Sequence, residues 1–146
     1  MTPETLFMDT SIPIYAAGRQ SDNKDACARL LEKVESGALR VAIDTEVVQE
    51  IMYRFHRLDM AEEGLELCEN VLRLGTRVLP VARRDIDESL RLSRIYLSRK
   101  VPPRDLLHTA VMLNNGIARV IALDGHFGDV VKEVSRIEPK DLLQSL

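Results

Sequence analysis

The sequence has few of the residues that build disulfide frameworks, zinc sites or base-stacking surfaces. Its only cysteines, Cys27 and Cys68, stand alone, without a C-x-x-C spacing or a neighbouring pair of histidines. Isolated cysteines are typical of buried thiols in a reducing compartment, and they argue against disulfides or a zinc site. The chain has no tryptophan, three tyrosines and three phenylalanines. We expect these rings to lie in the core, which leaves few of them for stacking on nucleic-acid bases.

Long apolar runs and a targeting segment are also missing. The first residues, MTPETLFMDTS, contain no basic region and only three consecutive apolar residues before an aspartate, so we expect no signal peptide. No run approaches the roughly 20 apolar residues that span a membrane. The sequence therefore predicts a cytoplasmic protein without a membrane segment.

Length and composition predict a single globular domain over residues 1–146. Hydrophobic residues make up 45% and charged residues 29% of the chain, as in ordinary soluble proteins. The formal net charge is −3, so the molecule as a whole does not attract nucleic acid. One segment is nevertheless rich in basic residues, namely Arg83, Arg84, Arg91, Arg94, Arg99, Lys100 and Arg104. By charge alone, this segment fits either a phosphate-attracting flank or a solvated helix face whose arginine stems cover apolar surface.

Short apolar runs alternate with patterns of helical period along the chain. The predicted strands are 5–9, 39–43, 77–81, 118–123 and, more weakly, 135–139. The predicted helices are a turn at 10–18 and the segments 22–36, 45–58, 60–74, 85–98 and 105–115. Apolar strands that alternate with helices are typical of a parallel sheet covered on both faces. The predicted fold class is α/β, a three-layer α/β/α sandwich with a central, mostly parallel sheet of about five short strands.

Local signals add expectations about individual helices. Asp22 or Asn23 is expected to cap the first long helix, and Asp44 or Thr45 the helix after the second strand, with Asp44 favoured. The helix at 85–98 is expected to bury an apolar stripe along one side. The stripe consists of Ile86, Leu90 and Leu97, broadened by Leu92 and Ile95.

Four acidic residues fall where a parallel sheet gathers functional groups. Asp9 and Asp124 directly follow the first and fourth predicted strands. Asp105 opens the helix that leads into the fourth strand, and Glu50 lies about two turns into the helix after the second strand. Functional groups of such sheets collect beyond the carboxyl ends of the strands, so we expect all four carboxylates to converge there.

Three of these acids also have a local structural explanation. Asp105 could simply favour a helix N-terminus, Asp124 could form a turn with Gly125, and Glu50 could pair with Arg54. The acid that ends the first strand has no basic residue nearby in sequence. Four carboxylates in one place repel one another and raise each other's pKa values unless cations lie between them. Since oxygen ligands suit Mg²⁺ or Mn²⁺, the four together predict a site for one or two such ions.

Other polar residues have less specific positions. Asp129, after Gly128, could be a further acid of this site or a surface residue. His108 and His126 have no cysteine or second histidine at zinc spacing. We interpret both as helix or loop residues that are minor candidates for substrate contact.

Four segments in this order and spacing resemble a known family. They are FMDTS, TEVVQEI, PPRDLLHTA and IALDGHF, and they resemble the PIN-domain ribonucleases, specifically the VapC-type toxins of toxin–antitoxin pairs. The resemblance covers nearly the whole chain. It implies that the metal-binding and catalytic acids are Asp9, Glu50, Asp105 and Asp124. Ser11 would help to hold this site, and Phe127 matches an aromatic core position, whereas Ala122 replaces a Thr or Ser that the family often has.

The resemblance also implies a mechanism and partners. It implies metal-assisted hydrolysis of RNA phosphodiester bonds by Mg²⁺ or Mn²⁺, which leaves 5′-phosphate and 3′-hydroxyl ends. It further implies a homodimer and an antitoxin protein. With RNA as substrate, the basic segment becomes a plausible phosphate contact. The candidate substrate-binding residues are Arg99, Lys100, Arg104 and His108.

Alternatives from other classes stay open at this point. A phosphotransfer enzyme with Asp9 as nucleophile is disfavoured, because haloacid-dehalogenase-like phosphatases have a second Asp where this chain has Ser11. A response-regulator receiver is disfavoured because it pairs two acids beyond its first strand. The main alternative is a catalytically silent PIN-like module that binds RNA or a protein partner. The presence of all four acids favours activity over this alternative.

Overall fold

The computed structural model describes residues 3–146, and these contain five strands in one sheet. The strands are β1 (Thr5–Met8), β2 (Arg40–Asp44), β3 (Arg77–Leu79), β4 (Arg119–Ile121) and β5 (Ser135–Ile137). They pair in the order β3-β2-β1-β4-β5, and every pairing is parallel. The predicted strands are thus confirmed, and β3 lies at one edge of the sheet.

Helices cover both faces of this sheet. They are α1 (Ser11–Ala17), α2 (Asp22–Glu35), α3 (Thr45–Arg57), α4 (Ala61–Arg73), α5 (Arg83–Ile95), α6 (Pro103–Asn114) and α7 (Pro139–Ser145). The chain moves in one direction across the sheet from β1 to β3 and then returns to β4. Right-handed crossovers therefore place α1 to α4 on one face and α5 with α6 on the other. Helix α7 packs on α2, and the predicted three-layer α/β/α fold is confirmed.

The strand register aligns the ends of the central strands. Both β1 and β2 bury almost every side chain, which explains their short, uniformly apolar sequences. Phe7 of β1 pairs with Ala42 of β2 and with Val120 of β4. Asp9, Asp44 and the loop after β4 consequently lie at one end of the sheet, which we call the carboxyl edge.

The cap of α2 differs from the prediction. Ser21 caps this helix, because its hydroxyl accepts a hydrogen bond from the Lys24 N–H over 3.1 Å. Asp22 and Asn23 lie inside the first turn instead. Serine, aspartate and asparagine all suit a helix cap, so residue type alone does not identify the cap among positions 21–23. The position at which the first helical turn begins decides it.

The face that α5 buries also differs from the prediction. Four of the five stripe residues are exposed, at 41% for Ile86, 59% for Leu90, 52% for Ile95 and 81% for Leu97, which lies just beyond the end of α5. Leu92 is the one residue of the stripe that is fully buried, on the same side of α5 as the buried Asp85. Asp85 accepts hydrogen bonds from the Ala82 N–H over 2.8 Å and from Asn114 Nδ2 of α6 over 2.9 Å. This polar contact sets the rotation of α5, and apolar periodicity cannot reveal it.

The chain after β4 returns to the sheet through a tight, irregular turn at 126–130. Gly128 has a φ of 78°, and a Cβ there would come within 3.0 Å of the Arg136 backbone nitrogen. Glycine is therefore required for the close approach of this turn to β5. Helix α7, which follows β5, was absent from the predicted elements. Among residues 3–146, no helix is long and apolar enough to cross a membrane.

Candidate functional site

Asp9 is buried at the centre of the carboxyl edge, directly after β1. Its backbone N–H donates a hydrogen bond to the Ile121 carbonyl of β4 over 3.0 Å. The hydroxyl and backbone N–H of Ser11 donate to Asp9 Oδ2 over 2.6 and 3.2 Å. Burial raises the pKa of Asp9 even though the hydrogen bonds from Ser11 oppose this shift. Ser11 therefore holds the Asp9 carboxylate in a fixed orientation.

Asp105, Asp124 and His126 meet at the same edge. Asp105 lies in the first turn of α6, and the other two follow β4. His126 Nδ1 is 3.2 Å from Asp105 Oδ2 and 2.8 Å from Asp124 Oδ1. The His126 backbone N–H also donates to Asp124 Oδ1 over 2.8 Å. Each of the three residues offers a potential metal-ligand atom, and these atoms lie within 4.8 Å of one another.

Negative charge accumulates around Asp105. Burial, followed by repulsion from Asp9 and Asp124, raises the pKa of Asp105 to about 6. The attraction of two neighbouring histidines offsets only part of this rise. Within the described part of the chain, no lysine or arginine forms an ion pair with any of these three acids. The negative charge of these acids is therefore offset only in part, by the histidines.

Glu50 of α3 has the opposite environment. Its Oε2 lies 3.2 Å from Arg54 Nη2 and 3.6 Å from Arg104 Nη1, while its Oε1 lies 3.8 Å from His108 Nε2. Burial alone would raise the pKa of Glu50, but His108, a neighbouring threonine and the two arginines hold it below its ordinary value. Glu50 is close enough to Asp9 to contribute to the raised pKa of that acid. The structure thus brings all four predicted acids to the carboxyl edge.

His108 supports the site from within the core. Its imidazole has no exposed surface, and its Nδ1 lies 2.7 Å from Asp44 Oδ2. The expectation that His108 contacts substrate is therefore wrong, because an enclosed side chain cannot reach one. Burial alone would lower the pKa of His108, but its interactions with Asp44 and Glu50 and the charge of Asp9 raise it to about 10. Its position in the apolar stretch LLHTAVML was the signal for burial.

Asp44 and Asp129 have structural partners. Asp44 Oδ1 accepts a hydrogen bond from the Val47 N–H over 3.0 Å, so Asp44 caps α3 as predicted. Asp129 is mostly exposed and pairs with Arg136 of β5 over 3.2 Å. These contacts give each of the two acids a structural role.

The predicted substrate-binding residues differ in their relation to the acids. Arg104 borders them, with its Nε 3.2 Å from Glu46 Oε1 and its Nη1 beside Glu50. Arg99 and Lys100 are exposed in the short turn between α5 and α6. Of the three predicted arginine and lysine contacts, only Arg104 forms an ion pair with acids of the carboxyl edge within the described residues.

Two residues near Asp124 that the family resemblance singles out, at positions 122 and 127, are both in the core. Ala122, which stands where the family often has Thr or Ser, is fully buried, and its carbonyl accepts a 3.4 Å hydrogen bond from Arg136 Nη1. Asp124 takes its hydrogen bonds from His126 instead of from a side chain at 122. Phe127 is fully buried, as expected for a core anchor.

This arrangement of fold and acids has a counterpart in a known family. Residues 6–133 match the family model for the PIN domain. The chain belongs to the PIN-domain family. VapC ribonuclease Mb1869c of Mycobacterium bovis and ribonuclease VapC13 of Mycobacterium tuberculosis are each 31% identical to it over 122 residues, or 84% of this chain and 92% of each relative. These relatives place the chain with the VapC ribonucleases of the PIN-domain family, and the predicted resemblance is confirmed.

Solved PIN-domain structures share the fold. Mycobacterium tuberculosis VapC20, described as a sarcin–ricin loop cleaving toxin, matches with a TM-score of 0.72 at 19% identity over 86% of this chain and 95% of that one. A chain of Rickettsia felis VapBC2 bound to a DNA fragment from its promoter matches with a TM-score of 0.72 at 13% identity. That match covers 92% of this chain and 98% of the other. At these identities the likeness establishes the architecture.

Proposed function

We propose that this PIN-domain protein is a divalent-metal-dependent endoribonuclease and the toxin of a type II toxin–antitoxin pair. The observation that carries the proposal is the group formed by Asp9, Asp105 and Asp124. Burial and repulsion raise the pKa of Asp105 to about 6, and no arginine or lysine of residues 3–146 pairs with the three acids. Such a site is stabilised by a bound cation. The names of the curated VapC relatives support RNA as the substrate.

The donor chemistry of the site fits Mg²⁺ or Mn²⁺. Asp9, Asp105 and Asp124 supply carboxylate oxygens, and Glu50 would complete the set on the Asp9 side. His126 Nδ1 lies beside two of these carboxylates and would add one nitrogen donor to the set. When bound, one or two such ions would hold phosphate oxygens, lower the pKa of a water and stabilise charge on the leaving oxygen.

The protein's own residues prepare this site for a cation and for phosphate. Ser11 fixes the orientation of the Asp9 carboxylate. Asp105, with a pKa of about 6, takes up a proton easily in the metal-free protein, so cations and protons compete for it. The Arg104 guanidinium at the border of the acids would contact a backbone phosphate, and the exposed Arg99 and Lys100 would extend this contact along the RNA. The products would carry 5′-phosphate and 3′-hydroxyl ends.

The proposal includes an antitoxin and a homodimer. Several structural neighbours are toxin–antitoxin complexes, which supports an antitoxin as partner. For the homodimer we propose the exposed apolar residues Ile86 and Leu90 of α5, with Leu97 in the turn after this helix, because exposed apolar side chains suit a second copy of the chain. Size-exclusion chromatography with light scattering should show a dimer for the wild type and a monomer for Leu90→Glu. A wild-type monomer at micromolar concentration would contradict the dimer.

A cytoplasmic location completes the proposal. Cys27 and Cys68 are free and buried, and burial raises the pKa of the Cys27 thiol to about 11. Unreactive free thiols suit a reducing compartment. Fractionation of cells that express the tagged protein would test this location, and secretion would refute it.

Cleavage of a mixed RNA pool by the purified protein tests the enzymatic function. We expect cleavage with Mn²⁺ or Mg²⁺, none with EDTA, and losses of at least about 100-fold for Asp9→Asn and Asp105→Asn. Asp22→Asn, at an exposed aspartate of α2, is the matched control and should cleave normally.

The failure of this experiment also has defined meanings. A folded wild-type protein that binds metal but cleaves nothing in the pool would indicate a narrow substrate, such as one structured RNA. A protein that neither cleaves nor binds metal would refute the proposal in favour of the silent binding module. Cleavage that survives in both variants would show that another site or a contaminant acts.

A further inference from the structure

Four buried polar residues form a cluster behind the acids of the carboxyl edge. Thr10 follows β1, Asp44 ends β2, Glu50 lies in α3 and His108 lies in α6. Their exposed fractions are 1%, 0%, 6% and 0%, respectively. Polar side chains enclosed to this degree normally have all their hydrogen bonds made, so any unmade one calls for an explanation.

Two donors of this cluster lack a partner. His108 Nε2 and Thr10 Oγ1 are enclosed and make no hydrogen bond within the described residues. Glu50 Oε1 lies 3.8 Å from His108 Nε2, just beyond hydrogen-bond distance. A small inward movement of the Glu50 carboxylate would give His108 its missing acceptor. The unpaired buried donors therefore favour a carboxylate that stays on their side.

The other nitrogen of His108 is tied to the start of α3. His108 Nδ1 lies 2.7 Å from Asp44 Oδ2, while Asp44 Oδ1 accepts the Val47 N–H in the first turn of α3. Glu50 lies in the same helix, three residues after Val47. His108 thus contacts the cap of α3 with one nitrogen and faces the acid of α3 with the other.

Two arginines compete with this buried contact. Arg54 and Arg104 approach Glu50 Oε2 from the solvent side at 3.2 and 3.6 Å. Without a donor behind the carboxylate, these charges would draw Glu50 outward and away from Asp9. Glu50 is therefore held between an exposed pair of guanidinium groups and a buried imidazole.

We propose that His108, assisted by Thr10, is a positioning residue that keeps the Glu50 carboxylate beside Asp9. This inference rests on the proposed nuclease function, in which Glu50 belongs to the metal-binding acids. His108 sets the start of α3 through Asp44 and holds the inner oxygen of Glu50 through Nε2. It acts on the site without touching RNA.

Amide variants of His108 separate the roles of its two nitrogens. An asparagine places its amide nitrogen near the position of Nδ1, and a glutamine places its amide nitrogen near the position of Nε2. His108→Asn thus keeps the donor for Asp44 and loses the donor that faces Glu50, while His108→Gln does the reverse. His108→Leu removes both donors.

The proposal predicts opposite orders of stability and activity for these variants. We expect His108→Asn to melt at a higher temperature than His108→Gln. We nevertheless expect His108→Asn to lose about 10- to 100-fold in Mn²⁺ affinity or kcat, with little change in KM. We expect His108→Gln to remain close to the wild type in both functional measurements. If His108 only stabilises the fold, activity and Mn²⁺ affinity will follow melting temperature, and the proposal is overturned.

Crystal structures of the two amide variants test the positioning directly. The Glu50 carboxylate should stay beside residue 108 in His108→Gln and move toward Arg54 and Arg104 in His108→Asn. An unmoved Glu50 in His108→Asn overturns the proposal, whether or not the wild type cleaves RNA. A wild type without cleavage or Mn²⁺ binding would refute the nuclease function separately. His56→Asn and His56→Gln, at an exposed histidine of α3, are matched controls and should change neither measurement.

Discussion

Glu50 and Asp105 are both acids of one site, yet their surroundings shift their pKa values in opposite directions. Glu50 is approached by Arg54, Arg104 and His108, so its charge is already compensated. Asp105 faces two other aspartates and has only histidines to offset them. The comparison shows that the number of acids in a site does not reveal where a cation is needed. Here the uncompensated charge lies on the Asp105 side.

The two halves of the site meet within two consecutive residues of α6. Arg104 pairs with the acids of α3, whereas Asp105 faces the residues that follow β1 and β4. The first turn of α6 therefore contributes a cation to one half and an anion to the other. In the proposed mechanism, a phosphate-binding half around Arg104 adjoins a metal-binding half around Asp105, and Glu50 at their border would complete the metal ligands beside Asp9.

The largest effect that would test this comparison concerns the free energy of unfolding. Two variants that each remove one negative charge should change it in opposite directions. In EDTA at pH 7, Asp105→Asn should raise the free energy of unfolding by on the order of 1–3 kcal/mol, because it relieves repulsion. Glu50→Gln should lower it by about 1–3 kcal/mol, because it leaves buried and guanidinium donors without their charged partner. Urea unfolding monitored by circular dichroism measures both changes.

Metal and matched variants control this measurement. At a free concentration 100 times its Kd for the wild type, Mn²⁺ should stabilise the wild type by about 2.7 kcal/mol and should stabilise Asp105→Asn far less. Glu69→Gln removes an exposed Glu–Arg pair of the same i, i+4 spacing as Glu50 with Arg54, and it should change stability little. If both variants shift stability in the same direction, the two halves are not electrostatically distinct.

A second effect is the pH dependence of stability. The folded pKa of Asp105, about 6, exceeds its ordinary value of 3.8, so between these values the folded state binds more protons than the unfolded chain. The Asp105 contribution to stability therefore falls as pH rises through this range. Glu50 has a lowered pKa, so its contribution is lost only as pH falls below its ordinary value of 4.5. The two contributions thus occupy different ranges of pH.

This separation can be measured between pH 4.5 and 6.5. As pH rises over this range, the free energy of unfolding of the metal-free wild type should fall by about 2 kcal/mol relative to that of Asp105→Asn. Saturating Mn²⁺ should abolish this fall. Stability that His108 contributes persists below pH 6.5 and is lost only from there to about 10, so it does not enter this range. Parallel pH profiles for the wild type and the variant would contradict the raised pKa of Asp105.

The smallest expected effect concerns substrate binding by the phosphate-binding half. Arg104→Gln should raise KM for an RNA oligonucleotide by about five-fold and weaken its salt dependence, because one phosphate contact is lost. Arg40→Gln provides the control, since Arg40 is an exposed arginine at the amino end of β2, opposite the acids. If Arg104→Gln changes kcat alone, Arg104 acts by holding Glu50 and does not contact the RNA.

Much of the fold could be predicted because its signals are local. Each strand is a short apolar run between turn residues, and the acids directly after β1 and β4 follow from the geometry of any parallel sheet. The rotation of α5 could not be predicted, because Asp85 faces inward to bond Asn114 while Leu90 faces solvent. Local periodicity treats an acid as a surface residue and a leucine as core, and here a partner 29 positions away reverses both.

The four acids and their meeting place were determined by the sequence itself, since residue type and strand order suffice to bring carboxylates to one edge. The pKa of each acid was decided only by the tertiary structure. Burial, together with charges from distant segments, raises the pKa of Asp105 and lowers that of Glu50. The role of His108 was also decided there, because its partners Asp44 and Glu50 are 64 and 58 residues away in sequence. Electrostatic interactions depend on distance in space and on exclusion of water, and neither quantity is present in a linear sequence.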